Sequence, residues 1–358
     1  MTHTASTPPD LDGDGTIPRL DLTAQESAVL RDVAERLVDA DPARPLDRQL
    51  DTIAVRAQEL PVRVRTVLTR FRLTGQPYGG LLLSGLTLDP TLIGPTPTDQ
   101  SNPPRSRELD CATALLLLIG SLLGSPFSSL TQQSGRLTGD MFPVPEHEHE
   151  KLGSSSTTML HWHIEDAFHP HRADWLVLLG LRNHDDIATT FVPVTDLDLD
   201  PDIKRVLFEE RFVILPDKSH STTLRTPMTG NSDHHPSAET FERIIAATHR
   251  PRELAVLTGD PDAPFLCIDP PYMRRRLRDP EAERALDTLI DTIDRSLRDV
   301  VVAPGQALIV DNKRAVHGRR PFRARYDGTD RWLRRVKVTA DLRPTEGRRF
   351  GPHGRALV

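Results

Sequence analysis

Cysteine is scarce in this chain of 358 residues, which contains only Cys111 and Cys267. Two cysteines are too few for a disulfide framework or a thiolate metal site, and they fit a reducing compartment. Long apolar runs are also missing: the longest, residues 114–120, is far below the roughly 20 residues that a membrane helix needs. The start of the chain lacks a basic segment followed by an apolar one, so we expect no export signal. These absences predict a soluble, cytoplasmic protein.

Positive charge is in short supply as well, since the formal net charge is -6. Affinity for a phosphate backbone comes largely from clustered Lys and Arg, so this balance argues against a nucleic-acid partner. The arginine run at 274–276 is interpreted as a solvated face. No glycine-rich nucleotide-binding pattern follows a strand, which leaves another kind of small molecule as the expected partner.

Proline and glycine are abundant by contrast, with 31 and 21 residues, and they indicate many turns. A capping box at Thr23–Glu26 predicts the start of an amphipathic helix. A second helical stretch covers 48–72 with a break at Pro61, and a third covers 280–299. Strand-like patterns are short and dispersed, at 79–86, 175–181, 211–215, 254–257, 307–310 and 331–339.

This distribution of elements favours an α+β fold, because helices and strands are segregated and do not alternate. We expect a jelly-roll core, that is a double-stranded β-helix, wrapped by helices. Residues 1–18 have little to bury and predict a disordered tail, which leaves 19–358 as a single domain.

A metal site is indicated by the segment that contains His163 and Glu165. In an extended backbone, residues two apart point to the same face, so both side chains can grip one ion. An imidazole and a carboxylate suit Fe(II), and a second histidine would complete the facial triad of non-haem iron oxygenases. His161 shares the parity of His163 and is an alternative ligand, whereas His147 and His149 lie in a charged segment that is typical of a solvated loop.

The third ligand is expected downstream, where a turn and an apolar strand lead to His317. Shortly afterwards, alternation in a predicted strand puts Arg331 and Arg335 on one face. Two guanidiniums beside a metal are suited to two carboxylates, each held through a bidentate fork. Taken alone, the same pair also fits two surface arginines on an edge strand.

Three blocks in order make a family resemblance specific: His-Ile-Glu-Asp-Ala-Phe-His at 163–169, Val-Asp-Asn at 310–312 followed by His-Gly at 317–318, and Tyr-Asp-Gly-Thr-Asp-Arg-Trp at 326–332. Together they resemble the clavaminate synthase-like branch of the Fe(II)/2-oxoglutarate oxygenases, over about residues 20–345. Within that branch the sequence looks most like the β-hydroxylases of free arginine, asparagine and enduracididine. The resemblance implies Fe(II), 2-oxoglutarate and O2, and an insertion at about 195–300 that contains helices.

The resemblance also implies a role for individual residues. It makes His163, Glu165 and His317 the iron ligands. It makes Arg331 the anchor for the distal carboxylate of 2-oxoglutarate, with a threonine that is Thr190 or its neighbour Thr189. The substrate residues that it implies are Arg335 for the α-carboxylate, Gln133 or Gln132 with Glu165 for the α-amino group, Asp269 for the side chain, and a closing loop with Leu152 and Ser154.

The expected substrate is a free, arginine-like amino acid, hydroxylated at C3 or C4 in antibiotic-type metabolism. One departure bears on it: Asp269 matches the first of two acidic positions that hold the guanidinium in the arginine hydroxylase, but Pro271 stands at the second. Citrulline, lysine, ornithine and a cyclised arginine therefore stay open. Two alternatives remain, an oxidative cyclase or desaturase of the clavaminate synthase type and a non-catalytic metal-binding jelly-roll protein.

Overall fold

The computed structural model describes residues 11, 16–75, 79–100, 104–148, 154–216, 220, 242, 245–246, 250, 252–273, 279–350 and 353–357. The predicted tail at 1–18 lies mostly outside these residues, as does the arginine run at 274–276. Ile17 is 6% exposed and belongs to a core cluster, so the packed part of the chain begins before residue 19. The end of the predicted tail is therefore wrong, because an apolar side chain there finds a place in the core.

The helices of the first third pack around one long apolar helix. They are α1 (Ala24–Ala40), α2 (Leu50–Arg56), α3 (Val62–Thr74), α4 (Pro90–Ile93) and α5 (Arg107–Leu123). α5 contacts α1, α2 and α3 on one side and strands of the larger sheet on the other, so its side chains are buried almost all round. A helix covered on every side has no polar stripe, which is why periodicity did not predict it.

The larger sheet has nine strands within the described part of the chain. Its members are β1 (Arg19–Asp21), β2 (Gly80–Ser84), β3 (Ser125–Ser129), β4 (Thr138–Met141), β6 (Trp175–Arg182), β11 (Gln306–Asp311), β13 (Trp332–Thr339), β14 (Arg349–Phe350) and β15 (Ala356–Leu357). They run in the order β1-β2-β11-β6-β13-β3-β15-β14, and β4 also pairs with β13. The pairs of β13 with β6, β3 and β4 are antiparallel.

A smaller antiparallel sheet, with four strands among the described residues, faces it. Its strands are β5 (Leu160–His163), β7 (Ala188–Pro193), β10 (Arg298–Val301) and β12 (Ala315–Arg319), in the order β10-β7-β12-β5. One hydrophobic cluster combines Leu178 and Leu333 of the larger sheet with Phe191 of the smaller one, so the two sheets pack face to face. His163 and His317 of the smaller sheet and Arg335 of the larger one also point into the space between the two sheets.

The predicted insertion at 195–300 contains α6 (Pro201–Leu207), α7 (Pro270–Met273) and α8 (Pro280–Ser296), with the two-stranded sheet of β8 (Leu257–Thr258) and β9 (Phe265–Leu266). The strand predicted at 211–215 is wrong, and that at 254–257 is largely so: Phe212 and Leu254 form a single bridge, and β8 begins only at Leu257. Their apolar side chains pack in the cluster around α8, so hydrophobicity here reflects burial against a helix.

The other predicted elements are confirmed. The capping box of α1 is present, with Thr23 and Glu26 each accepting the other's backbone N–H. Pro61 separates α2 from α3, and the predicted late helix is α8. Among the described residues, no helix is long and apolar enough to cross a membrane.

Candidate active site

The three predicted metal ligands converge between the sheets. His163 ends β5, and His317 lies directly opposite it in the antiparallel strand β12, so that their side chains share a face. Glu165 follows two residues after His163, and its Oε2 lies 3.5 Å from Nε2 of His163 and 3.8 Å from Nε2 of His317. The ligand atoms all lie within 4.8 Å of one another. Two imidazoles and a carboxylate on one side of an ion are the donor set that Fe(II) takes in oxygenases, so the residues fit that metal.

Neighbouring groups hold these ligands in orientation. Nδ1 of His163 donates to the carbonyl of His161 at 2.9 Å, which leaves Nε2 for an ion. His161 contributes this carbonyl, while its own ring contacts the carbonyl of Trp162, so it is not the ligand. The amide of Asn312 is fully buried and pairs with both the N–H and the C=O of Glu165, at 2.9 and 3.1 Å. The side chain of Asn312 thus makes the two backbone hydrogen bonds that a neighbouring strand would otherwise make with Glu165.

The carboxylate of Glu165 and the burial of the site set the charges of the triad. Burial works against protonation of His163, but the hydrogen bond and charge of Glu165 outweigh it and raise the pKa of His163 to about 9. Burial and the charge of His163 lower the pKa of His317 to about 3. Burial alone would raise the pKa of Glu165, yet Arg335 and His163 hold it below its usual range. In the protein without metal, the ionised carboxylate is thus paired with protonated His163 and with Arg335, and a bound cation would take the place of the proton on His163.

The guanidinium of Arg331 is buried and contacts Thr189, a residue of β7 on the face of the smaller sheet that carries His317. Arg331 is 6% exposed; its Nη2 donates to Oγ1 of Thr189 at 2.9 Å, and its Nε has no hydrogen-bond partner among the described residues. Burial, together with the charge of nearby Arg319, lowers the pKa of Arg331 to about 9. A buried cation with unused donors fits the distal carboxylate of 2-oxoglutarate.

The choice of Thr190 as the co-substrate threonine does not fit this geometry. In the antiparallel pair of β7 and β12, Thr190 lies opposite Gly318, whereas Thr189 lies opposite Arg319 and shares its face with the ligand His317. The Oγ1 of Thr190 is buried on the other side of the strand and has no partner among the described residues. A Cβ on Gly318 would lie 2.7 Å from that oxygen, so Thr190 fills the space left by the glycine.

The region around Arg335 is a network of polar contacts. Nη1 of Arg335 forms an ion pair with Oε1 of Glu165, and Nη2 donates to Oε1 of Gln132 at 3.2 Å. The preferred choice of Gln133 does not fit: its amide bonds both backbone groups of Asp140, at 2.9 and 3.0 Å. Gln133 has a φ of 43°, in the left-handed region, and its side chain contacts Asp140, whereas that of Gln132 contacts Arg335. The alternative, Gln132, is the one beside Arg335.

The other predicted site residues are distributed around the triad. Asp269 is 8% exposed, and its charge contributes to the raised pKa of His163, which puts it near the metal ligands. Ser154 is buried and contacts Nδ1 of His147 through its hydroxyl at 2.7 Å. Leu152 and His149 lie outside the described residues.

Two buried groups beside the triad were missed by sequence reasoning. Lys337 continues the alternation of Arg331 and Arg335, and its Nζ lies 3.8 Å from Oε1 of Glu165. Asp166, the residue after the metal ligand, is ion-paired with Lys337. Parity along β13 would have pointed to Lys337, whereas nothing in the sequence pairs it with Asp166.

This fold and site define a class: a mixed α and β protein with a two-histidine, one-carboxylate centre and a buried arginine beside it, as in non-haem iron oxygenases. The family model "Taurine catabolism dioxygenase TauD, TfdA family" matches residues 110–337, and the chain belongs to this family.

Individual relatives cover almost the whole chain. Enduracididine beta-hydroxylase of Streptomyces hygroscopicus is 41% identical over 84% of this chain and 88% of its own length. L-ornithine/L-arginine 3-hydroxylase of Catenulispora acidiphila is 38% identical over 95% of this chain and 99% of its own. Non-heme iron oxygenase OrfP, solved with Fe, succinate and (3S)-hydroxy-L-Arg, superposes with a TM-score of 0.84 at 37% identity, covering 95% of this chain and 100% of that one.

Proposed function

We propose that this protein hydroxylates a free L-amino acid with an arginine-like side chain, at C3 or C4, with Fe(II), 2-oxoglutarate and O2. The observation that carries the proposal is a pair of buried cations: Arg331, directly before β13, contacts Thr189, and Arg335, within β13, contacts the metal ligand Glu165. One guanidinium serves the co-substrate and the other serves the amino acid. The relatives named for hydroxylation of enduracididine, ornithine and arginine support the same substrate class.

In this proposal the co-substrate lies between the triad and Arg331. Thr189 orients the guanidinium of Arg331 towards the distal carboxylate, and the neighbouring charge of Arg319 adds to the attraction. When bound, Fe(II) and 2-oxoglutarate supply an oxidising centre at which O2 yields succinate, carbon dioxide and an oxidised C–H bond. The protein contributes orientation and the exclusion of water.

When the amino acid binds, its two charged groups replace the ion pair that Glu165 and Arg335 form with each other. In this structure Oε1 of Glu165 is paired with the guanidinium of Arg335. A zwitterion offers the same two charges, so its α-carboxylate takes Arg335 while its α-ammonium takes Oε1 of Glu165 and Oε1 of Gln132. No charge is left without a partner in this exchange. Asp269, buried near the triad, then holds the cationic or ureido end of the side chain.

We further infer that the two facing sheets form the double-stranded β-helix expected from the sequence. The ligands on paired strands of the smaller sheet support this architecture. The relatives also include clavaminate synthase 2 of Streptomyces clavuligerus, 30% identical over 84% of this chain, in line with antibiotic-type metabolism.

The test is a screen of free L-amino acids with the Fe(II)-loaded protein, beginning with arginine, citrulline, ornithine, lysine and asparagine. We expect succinate formation and a product heavier by one oxygen atom. A product lighter by two hydrogens would show a desaturase or cyclase, and turnover of carrier-bound aminoacyl groups alone would contradict the role of Arg335. Failure to bind Fe(II) and 2-oxoglutarate together would favour the non-catalytic alternative.

A further inference from the structure

A buried ion pair lies directly behind the site, formed by Lys337 and Asp166. Lys337 is 4% exposed, and its Nζ also donates to Oγ of Ser129 and to Oε1 of Gln132, both at 2.7 Å. Asp166 is 7% exposed, and its Oδ1 lies 2.9 Å from Nε2 of His220. Both charged groups are thus enclosed, and both contact the glutamine beside Arg335.

The pair determines which way the amide of Gln132 points. An ammonium can only donate hydrogen bonds, and an ionised carboxylate can only accept them. Lys337 therefore requires the oxygen of Gln132 on its side, and Asp166, with its Oδ1 at 3.4 Å from Nε2, requires the NH2 group. The amide is held from both ends, with its oxygen directed towards Arg335 and Lys337.

The oxygen of that amide has two acceptor positions. Nζ of Lys337 takes one of them, and Nη2 of Arg335 takes the other at 3.2 Å. When Arg335 turns to a substrate carboxylate, the second position becomes available, whereas Lys337 still holds the first. An ammonium group of the substrate is the donor that fits the vacated position.

We propose that Lys337 and Asp166 are positioning residues that keep the oxygen of Gln132 aimed at the substrate α-ammonium, and so make the enzyme specific for α-amino acids over the corresponding acids. This inference rests on the proposed function. The pair touches neither the substrate nor the metal, and it acts through Gln132. Nζ of Lys337 also lies 3.8 Å from Oε1 of Glu165, so an effect of Lys337→Met that persists in the absence of Gln132 would place its action on Glu165 and count against the inference.

The local backbone agrees with such a role. Asp166 has a φ of 51°, in the left-handed region that non-glycine residues seldom adopt, directly after the ligand Glu165. A buried ion pair also adds little stability compared with well-packed apolar residues, because desolvation offsets the attraction. Backbone strain and buried charge at one point are typical of a functional site. Orientation of the Gln132 amide is a function that explains why both occur at Asp166.

The test measures binding of two ligands to the protein loaded anaerobically with Fe(II) and 2-oxoglutarate, by calorimetry. The ligands are L-arginine and 5-guanidinopentanoate, which lacks only the α-amino group. Hydrogen bonds to charged groups are worth enough that the wild type should prefer L-arginine about 10- to 100-fold. In Lys337→Met we expect this preference to fall about 10-fold, with the affinity for 5-guanidinopentanoate almost unchanged.

Controls separate positioning from general damage. Lys313→Met removes the other described lysine that is paired with a carboxylate, Asp174, at a half-exposed position, and should keep the full preference. In a Gln132→Met background, Lys337→Met should add less than about 2-fold, because both changes act on the same amide. Should Lys337→Met fail to fold by circular dichroism, Asp166→Asn serves instead, with the same loss expected.

The outcomes are distinct. Equal weakening of both ligands in Lys337→Met and Asp166→Asn would overturn the inference and leave a merely structural pair. Retention of the full preference in both variants would overturn it too, while the proposed function stands. A wild type that binds both ligands with equal affinity would refute the α-amino subsite itself, and with it the proposed function as an amino acid hydroxylase. If neither ligand binds, the same comparison uses the amino acid identified by the screen and its analogue without the α-amino group.

Discussion

Valine at position 189 removes the hydroxyl that contacts the buried guanidinium of Arg331, and valine at 190 removes a hydroxyl of the same size one residue later. Thr189 accepts from Nη2 of Arg331 at 2.9 Å, whereas Oγ1 of Thr190 is buried without a partner among the described residues. The two substitutions are chemically identical and lie in the same strand. They differ only in the face of β7 that they change, so each is the control of the other.

The two substitutions are expected to differ in their effects on the Kd for 2-oxoglutarate and on the free energy of unfolding. A hydrogen bond to a charged group contributes about 1.5–3 kcal/mol, and each 1.4 kcal/mol is about tenfold in affinity. Because Thr189 contacts Arg331 in the protein without ligand, Thr189→Val should lower the free energy of unfolding by about 1.5–3 kcal/mol. The Kd for 2-oxoglutarate should rise by up to about 10-fold, because the guanidinium is no longer held in one orientation. Thr190→Val replaces a buried hydroxyl without a partner by a methyl group, which should leave the Kd unchanged and raise the free energy of unfolding by about 1 kcal/mol.

The assay is an anaerobic titration of the Fe(II)-loaded protein with 2-oxoglutarate, followed by the weak visible charge-transfer band of the chelate. Urea denaturation of the two variants gives the change in stability. The reasoning would be refuted if Thr190→Val weakened 2-oxoglutarate binding as much as Thr189→Val does. That result would mean that the face of β7 next to Arg331 has been misassigned.

Three further predictions concern separate parts of the molecule. His317→Ala should abolish Fe(II) binding in an equilibrium metal assay, whereas Asp269→Ala should retain the metal and raise the KM for the amino acid; equal loss of metal would contradict this division. Arg334→Met strips the buried carboxylate of Asp140 of its partner, so urea denaturation should show a loss of about 3–5 kcal/mol, and a loss below about 1 kcal/mol would count against that pair. Burial raises the pKa of Asp311 to about 6, so its contribution is fully present below about pH 4 and is lost as the pH rises through 6. Asp311→Asn should then be more stable than wild type at pH 8 by up to about 3 kcal/mol but equal at pH 4, and equal stability at both pH values would show that the carboxyl is not perturbed.

The metal centre could be predicted because its signal is local. His163 and Glu165 are two residues apart in extended backbone, and such spacing puts both on one face without any knowledge of the neighbouring strands. The same parity places Arg331 and Arg335 together, and the structure has both on the face that points to the site. Helices α1 and α8 were predictable for the same reason, since each is amphipathic and buries one stripe.

Other features needed the tertiary structure. α5 is buried on nearly every side, so its sequence carries no periodic contrast between core and solvent. The apolar segments at Phe212 and Leu254 look like strands but pack against a helix, because hydrophobicity reports burial and does not name the partner.

The sequence by itself predicted the metal, the co-substrate and the class of chemistry. Short, fixed spacings put His163 with Glu165 and Arg331 with Arg335, and the three blocks in order carry the family resemblance that implies 2-oxoglutarate. The tertiary structure alone decided between neighbours: Thr189 over Thr190 and Gln132 over Gln133 as the residues beside Arg331 and Arg335. Parity within a strand says which residues share a face, but only pairing with the next strand says which face looks inward. The glutamines differ through a single turn with a positive φ, and the Lys337–Asp166 pair joins residues 171 positions apart. Contacts between residues so far apart in the sequence follow from packing, and no local sequence pattern predicts them.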